Sequence, residues 1–246
     1  MATLALPPRR RIQDERIFFS GMTLLILASV FVGYGSTFYL KGAIPASRPV
    51  PPLNSLVILH GVVFSSWIVL SLAQTWLVAA GRTDLHRKFG MTLAALAVAM
   101  VPLGFFTGVY AMQRPTNPPG LSPESWLAIP LFALPPFIGL VIAGIVARRH
   151  PQAHKRYMLG AMVWMLGPAI GRLPMPAWMP MPLILFGGPD LAMIAMIGFD
   201  LSTRGKVYSA TMVTAAVFLA SEIAPLAVWQ SGPWIAFARA IGRIAA

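Results

Sequence analysis

Residues 55–80 read SLVILHGVVFSSWIVLSLAQTWLVAA, a stretch that contains no Asp, Glu, Lys or Arg. A helix needs about 20 mostly apolar residues to cross the hydrocarbon core of a bilayer, and this stretch is long enough to cross once. Its apolar residues are continuous rather than alternating, which favours a helix over a strand of a membrane barrel. The stretch therefore predicts a transmembrane helix.

Six further apolar runs accompany this one along the chain. They cover about 17–40, 89–112, 126–147, 157–170, 182–201 and 207–229. The run over 157–170 is short and contains Pro168, so this run and the next one would alternatively form a broken or re-entrant pair. We expect an all-α integral membrane bundle of about seven transmembrane helices, formed by residues 17–229 as one domain.

The composition agrees with a membrane fold. The 246 residues are 57% hydrophobic and only 11% charged, whereas soluble domains carry roughly 25% charged residues. The chain contains no cysteine, which excludes disulfides, thiolate metal sites and iron–sulfur clusters. We expect the lipid bilayer to be the main partner of this chain.

The basic residues predict the orientation in the membrane. Seven crossings place thirteen of the 19 Lys and Arg residues on the side of the N-terminus: Arg9, Arg10, Arg11, Arg16, Arg82, Arg87, Lys88, Arg148, Arg149, Lys155, Arg156, Arg204 and Lys206. Cytoplasmic loops are enriched in Lys and Arg, so residues 1–16 are predicted to be cytoplasmic and the C-terminus to lie outside. This distribution accounts for the net charge of +12, and we expect no nucleic-acid partner.

Residues 230–246 follow the last apolar run and predict a short interfacial helix. Arg239 and Arg243 are four residues apart among apolar residues, which places both on one face of a helix. A frayed tail is the alternative.

Two loops on the basic side are similar to each other. Residues 81–90 read GRTDLHRKFG, and residues 149–158 read RHPQAHKRYM. Each loop places a His before two basic residues and an aromatic residue. Two copies of one helical hairpin would produce this pattern, as internal repeats of membrane proteins do, and coincidence is the alternative.

With these loops, the chain resembles a family of uncharacterised bacterial polytopic membrane proteins of about seven helices. The shared motifs are His60-Gly61, Gly-Arg-x-x-Leu-His-Arg-x-x-Gly over 81–90, His-Pro-x-Ala-His-Lys-Arg-x-Met over 150–158 and Asp-Leu-x-Thr-Arg-Gly over 200–205. The family usually continues the last motif with His-Pro, whereas this chain has Val207-Tyr208. The resemblance covers most of the chain, implies a multi-pass protein of the bacterial inner membrane, and implies no activity.

His86 and His154 occupy matching positions in the two loops and are candidate cofactor ligands. Two imidazoles that face each other across a helix bundle can hold a haem iron, and the basic neighbours would then pair with the propionates, which suggests haem b. The alternatives are polar residues at the membrane surface or a metal site without haem. Asp84 would orient the His86 ring or cap the following helix.

Four ionisable residues are intramembrane candidates: His60, Asp190 and Glu222 inside predicted crossings, and Arg172 at the outer end of the fifth. Ionisable residues inside a membrane are costly, which makes each of them a functional candidate. Arg172 would pair with Asp190 or Glu222, and Gly187-Gly188-Pro189 predicts a break in the helix before Asp190. In the alternative interpretation, residues 180–189 form a loop and Asp190 caps the next helix, while His60 is a neutral residue bonded to a neighbouring helix.

These residues support three classes of function. The first is a haem- or quinone-linked redox protein that uses His86 and His154. The second is a carrier or binding protein for a small solute, ion or lipid that uses His60, Asp190 and Glu222. The third is an accessory or assembly subunit, which implies a membrane-protein partner or a homo-oligomer. No residue is identified as catalytic, no metal-ligand motif is recognised, and the sequence leaves open whether the protein is an enzyme.

Overall fold

The computed structural model of this protein describes residues 8–46, 50–114, 117–118, 120–176 and 178–244. Over these residues the regular structure is helical, with ten α-helices in chain order. Their bounds are α1 Pro8–Tyr34, α2 Ser55–Ala79, α3 Thr83–Ala111, α4 Pro123–Trp126, α5 Ala128–Val146, α6 Pro151–Trp164, α7 Gly167–Ile170, α8 Met181–Arg204, α9 Ser209–Val228 and α10 Gly232–Ile244. A π-helical turn, Gly35–Tyr39, extends α1, and a 3₁₀ turn, Ala147–Arg149, extends α5.

Six helical stretches in the described part of the chain are long and apolar enough to cross a membrane. They are Ile12–Tyr39, Ser55–Ala79, Thr83–Ala111, Pro123–Arg149, Met181–Arg204 and Ser209–Val228. Each coincides with one of the predicted crossings, so the prediction of a helical multi-pass membrane protein is confirmed. The predicted crossing over 157–170 is not among the six.

That segment forms α6 and α7, which lie in the middle of the bundle. Helix α6 packs against α1, α5, α8 and α9, and α7 packs against α1 and α8. Most of the second half of α6, from Leu159 to Trp164, is buried. Neither helix alone reaches the about 20 residues that a crossing needs, because the turn at 165–166 divides the segment into helices of 14 and 4 residues.

The segment is interrupted one turn earlier than the sequence predicts. Helix α6 ends at Trp164, and Met165 and Leu166 form the turn before α7. Pro168 lies in the first turn of α7, where its missing N–H costs no helical hydrogen bond. The proline therefore starts a helix here and does not end one.

Helix α8 continues through Pro189 without a break. The predicted break at residues 187–189 is wrong, and so is the alternative loop over 180–189. Pro189 has no N–H to donate to the Leu185 carbonyl, which lies one helical turn earlier. Gly167 of α7 packs onto this carbonyl, so closely that a Cβ at Gly167 would lie 2.6 Å from the oxygen. The neighbouring helix therefore covers the backbone group that the proline leaves without a partner.

Consecutive long helices run antiparallel, which gives the bundle two ends. We call the end with the α2–α3, α5–α6 and α8–α9 connections the basic end, and the other the opposite end. The region predicted to hold an interfacial helix contains α10, which packs against α3 and α4 at the opposite end. Arg48, one of the six Lys and Arg residues outside the N-terminal side, lies outside the described residues.

Candidate functional site

A buried ion pair joins α6 to α8 at the basic end. The side chains of Arg156 and Asp200 are both 0% exposed. Arg156 Nε donates to both Asp200 oxygens, at 3.1 and 3.2 Å, and Nη2 also donates to Oδ1. Asp200 accepts two further hydrogen bonds from α9 and its start, from Thr211 Oγ1 at 2.5 Å and from the Tyr208 N–H at 3.1 Å. The Asp200 carboxylate is therefore fully hydrogen-bonded.

The Arg156 guanidinium also has other partners. Its Nη1 donates to the Gln152 carbonyl and to Gln152 Oε1, both at 2.8 Å. Its Cζ lies 4.0 Å from the centre of the Tyr208 ring. A buried charge is tolerated when it is paired and its donors are satisfied. The Arg156–Asp200 pair therefore connects α6, α8 and α9 at the basic end.

Glu15 of α1 belongs to the same polar region. It accepts hydrogen bonds from Lys155 Nζ at 2.5 Å and from Gln152 Nε2 at 3.2 Å, and it forms an ion pair with Arg204. Burial lowers the pKa of Lys155, and the neighbouring Glu15 carboxylate partly offsets this effect. Glu15 thus ties α1 to both α6 and α8.

These contacts bring together two motifs on which the family resemblance rests. Lys155 and Arg156 belong to the motif over 150–158, and Asp200 and Arg204 to the motif over 200–205. The sequence predicts Lys155, Arg156 and Arg204 only as basic residues on the side of the N-terminus, with the neighbours of His154 as possible partners of haem propionates. It gives no role to Glu15. The sequence does contain an indication of these ion pairs. Glu15 and Asp200 are carboxylates at the basic ends of apolar runs, where Lys and Arg side chains are the available partners.

The structure brings His86 and His154 together at the basic end. Their ring centroids are 6.1 Å apart, and the ring planes are nearly perpendicular. His154 Nδ1 lies 2.8 Å from the Gly144 carbonyl oxygen. A carbonyl only accepts, so Nδ1 carries the proton and Nε2 of the neutral ring has a free lone pair.

Gln74 of α2 fixes the other imidazole in the opposite tautomer. With the amide oriented so that both of its ends are satisfied, the Gln74 oxygen accepts from the Gly90 N–H at 3.1 Å, and the nitrogen donates to the His86 carbonyl at 2.9 Å and to His86 Nδ1 at 2.5 Å. This orientation leaves the His86 proton on Nε2. One ring therefore presents a donor and the other an acceptor.

Asp84 takes neither of its two predicted roles. It pairs with Arg82, whose Nε lies 3.2 Å from Asp84 Oδ1, and 60% of the Asp84 side chain is exposed. Arg82 holds the capping position of α3 without a side-chain cap, and Asp84 is the second residue of the helix. The carboxylate turns to the nearby guanidinium, so it neither orients His86 nor caps α3.

His60 lies in α2 towards the opposite end. Its ring stacks on Phe64 at a centroid distance of 3.9 Å and faces the backbone of Leu103 in α3. Its Nδ1 has no hydrogen-bond partner among the described residues. His60 thus lies against the neighbouring helix α3.

Arg172 lies near His60 and pairs with no carboxylate in the described part of the chain. Its Nη1 donates to the Pro168 carbonyl at 2.7 Å, and its Cζ lies 4.1 Å from the centre of the Tyr34 ring. Among the four intramembrane candidates, Asp190 and Glu222 line one groove, whereas the contacts of His60 and Arg172 are with other residues.

The carboxyl groups of Asp190 and Glu222 lie close together between α8 and α9 and line one groove. Glu222 Oε1 is buried without a partner among the described residues. Asp200 contacts Thr211, and Asp190 lies close to Glu222. Moving about ten residues back along α8 therefore corresponds to moving about ten residues forward along α9, as expected for two antiparallel helices. Ten residues of α8 separate the two contacts, or about 15 Å at 1.5 Å per residue. The acidic pair therefore lies deep between the ends of the bundle.

A groove of about 360 Å³ opens beside this pair. Apart from the two carboxyl groups, its walls are apolar: Pro180, Pro182, Leu183, Phe186, Ile223 and Leu226. Leu183 and Ile223 are 51% and 57% exposed, so the groove is open at the side of the bundle.

No family model, curated protein or solved structure matches the chain. Within the described residues, no group of three or more His, Cys, Asp or Glu side chains could hold a metal ion. Of the arrangements described above, the acidic pair Asp190–Glu222 most directly suggests a ligand. Two carboxyl groups this close hold one proton more readily than two negative charges, and a pair that holds one proton can exchange it for a cation.

Proposed function

We propose that this protein is a multi-pass membrane carrier or binding protein for small organic cations, with Asp190 and Glu222 as its binding site. The observation that carries the proposal is the meeting of these two carboxyl groups beside an apolar groove. With one shared proton the pair has a charge of −1. A bound cation that displaces the proton meets two carboxylates, which favour a positive charge at this depth.

The shape and lining of the groove support an organic cation with an apolar body. Pockets for small molecules are mostly apolar and contain a few polar groups that fix the ligand. Here the apolar walls suit a hydrocarbon or aromatic body, and the acidic pair suits an amine or a quaternary ammonium group. The side opening gives access to a ligand that first partitions into the membrane.

The proposed orientation places the N-terminus in the cytoplasm of a bacterial cell, with α6 and α7 as a seventh crossing of the inner membrane. Glu15 meets Lys155 at the start of α6, and Gly33 meets Ala169 in α7. Along α1, Glu15 and Gly33 are about 27 Å apart at 1.5 Å per residue, close to the thickness of the hydrocarbon core. The excess of Lys and Arg at the basic end supports the same orientation.

Proteoliposomes that enclose a pH-sensitive dye test the proposal. We expect a gradient of ethidium or tetraphenylphosphonium to drive proton movement in wild-type vesicles, and Glu222→Gln and Asp190→Asn to abolish it. Asp84→Asn is the matched control, because its exposed carboxyl group is remote from the groove, and it should behave as wild type. Equal proton movement in wild type and Glu222→Gln would contradict the assignment.

A second, independent measurement tests the shared proton. Carbodiimides react with protonated carboxyl groups in apolar surroundings, so dicyclohexylcarbodiimide should modify Asp190 or Glu222 in the wild-type protein. The modification should decline when ethidium is present. Peptide mass spectrometry locates the label, and labelling confined to other carboxyl groups would refute the proposed protonation state.

A redox function at His86 and His154 is the second candidate, motivated by the 6.1 Å separation of their rings. The free Nε2 of His154 suits an iron ligand. His86 fits less well, because Gln74 donates to its Nδ1 and leaves a proton on Nε2. Haem b or a quinone-linked role therefore has less support than the acidic pair.

Visible spectra of the purified protein, oxidised and reduced, test this candidate. A Soret band with sharp reduced α and β bands, lost in His86→Ala and His154→Ala, would support haem b. A flat spectrum after expression with full haem supply would exclude it. Co-purification of a stable membrane-protein partner would instead favour the accessory-subunit hypothesis.

A further inference from the structure

Helix α10 packs onto the opposite end of the bundle and is fixed there by specific contacts. Ala238 is fully buried in a small apolar cluster with Val109 and Leu127. Trp234 Nε1 donates to the Glu124 carbonyl at 2.9 Å. The helix is therefore held against the ends of α3 and α4, and its outward face has a defined position.

A cavity of about 460 Å³ lies under the C-terminal half of α10. Its apolar lining includes Met112, Pro123 and Ala238. Arg239 and Arg243 also line it, one helical turn apart. The cavity thus combines an apolar floor with two guanidinium groups at its edge.

The two guanidinium groups retain free hydrogen-bond donors. Arg239 Nε donates to Glu124 Oε1 at 3.2 Å, and 62% of the Arg239 side chain is exposed. Arg243 is exposed and forms no hydrogen bond or ion pair within the described residues. Glu124 neutralises one of the two cations, so a single positive charge remains at the cavity.

We propose that this cavity binds the phosphate-bearing headgroup of an anionic membrane phospholipid. Arg binds phosphate oxygens through paired, charge-assisted hydrogen bonds. The phosphate would bind between the Nη groups of Arg239 and Arg243, on the side away from the Glu124 carboxylate. The first part of the acyl chains would then lie along the apolar wall formed by Met112, Pro123 and Ala238.

A lipid explains features of this site that a free phosphate ion does not. A free ion needs the two cations but gains nothing from Met112 and Pro123. A helix with an apolar face, aromatic residues and Arg residues is typical of a segment that lies at the membrane surface. The charge and the apolar lining therefore fit one amphipathic ligand.

Native mass spectrometry of the full-length protein in detergent tests the proposal with added phosphatidylglycerol, with phosphatidylcholine as the zwitterionic comparison. We expect preferential retention of phosphatidylglycerol by the wild type. Arg239→Gln/Arg243→Gln should weaken this retention by at least about tenfold, as expected for the loss of charge-assisted contacts. The control, Arg148→Gln/Arg149→Gln, removes two exposed arginines at the basic end and should retain the lipid as wild type does.

A second variant tests the cavity without a change of charge. Gly242 lines the cavity, and a Cβ at this position would meet only the end of the flexible Met112 side chain, at 2.8 Å. Gly242→Leu should fill the space and weaken retention of phosphatidylglycerol. Equal lipid retention by wild type and the double Arg variant would overturn the proposal. Displacement of the lipid by an equal concentration of inorganic phosphate would overturn the assignment to a lipid.

Discussion

Arg156 of α6 and Asp200 of α8 form an ion pair from which solvent is fully excluded, with both side chains 0% exposed. Asp200 also accepts from α9 through Thr211. One carboxylate therefore connects three helices.

Replacement of Asp200 by Asn should strongly destabilise the protein. The substitution leaves the Arg156 charge buried without its counter-ion, and the loss of one partner of a buried pair costs about 3–5 kcal/mol. Trp fluorescence during thermal unfolding in detergent provides the measurement. The control is Asp84→Asn, which breaks the exposed Arg82–Asp84 pair and should leave the unfolding temperature close to that of the wild type, because exposed ion pairs add little stability. Equal effects of the two substitutions would contradict this account.

Gly33→Ala should destabilise the contact between α1 and α7. A Cβ at Gly33 would overlap the backbone carbonyl of Ala169, and overpacking of this kind costs about 1–3 kcal/mol. Gly21→Ala on the same helix is the matched control, since a Cβ there meets nothing within 4 Å. Because Ala is the better helix former, the control should be neutral or stabilising. The unfolding temperatures of the two variants should therefore change in different directions or by clearly different amounts.

Glu222→Gln should leave the protein as stable as wild type, in contrast to Asp200→Asn. The Gln amide donates to Asp190 without the need for a shared proton. In the wild type, rising pH removes that proton and leaves two adjacent negative charges, so stability should fall as pH rises. Thermal unfolding measured across a pH series should show this fall in the wild type and its absence in Glu222→Gln. A parallel fall in both proteins would contradict the shared proton.

His86 and His154 should occupy opposite neutral tautomers. We expect the proton of His154 on Nδ1, where it donates to Gly144, and that of His86 on Nε2. Solid-state NMR of ¹⁵N-histidine-labelled protein distinguishes the tautomers, and His86→Ala assigns the signals. Gln74→Leu should change the His86 signal and leave the His154 tautomer as it is. Identical tautomers in the wild type would refute this prediction.

The long helices were predictable because a bilayer requires an uninterrupted apolar run for each of them. The path of α8 was not, since a proline after two glycines usually marks a break. Pro189 is accommodated because Gly167 of another helix covers the Leu185 carbonyl. That contact depends on packing between helices, and the sequence around Pro189 carries no sign of it.

The candidate site was predictable only in part. The matching positions of His86 and His154 in two similar loops correctly indicated that they lie close together. Arg172 was expected to pair with an acid but donates to the Pro168 carbonyl. Which charges meet depends on the order in which helices pack, and hydropathy does not determine that order.

The contacts of Glu15 also set an order of events during synthesis. Lys155 follows it by 140 residues and Arg204 by 189. At about 5–20 residues per second, Arg204 is made roughly 10–40 s after Glu15. During this time α1 carries an acid without its partners, so α1, which is made before the other described helices, is among the last of them to reach its final position.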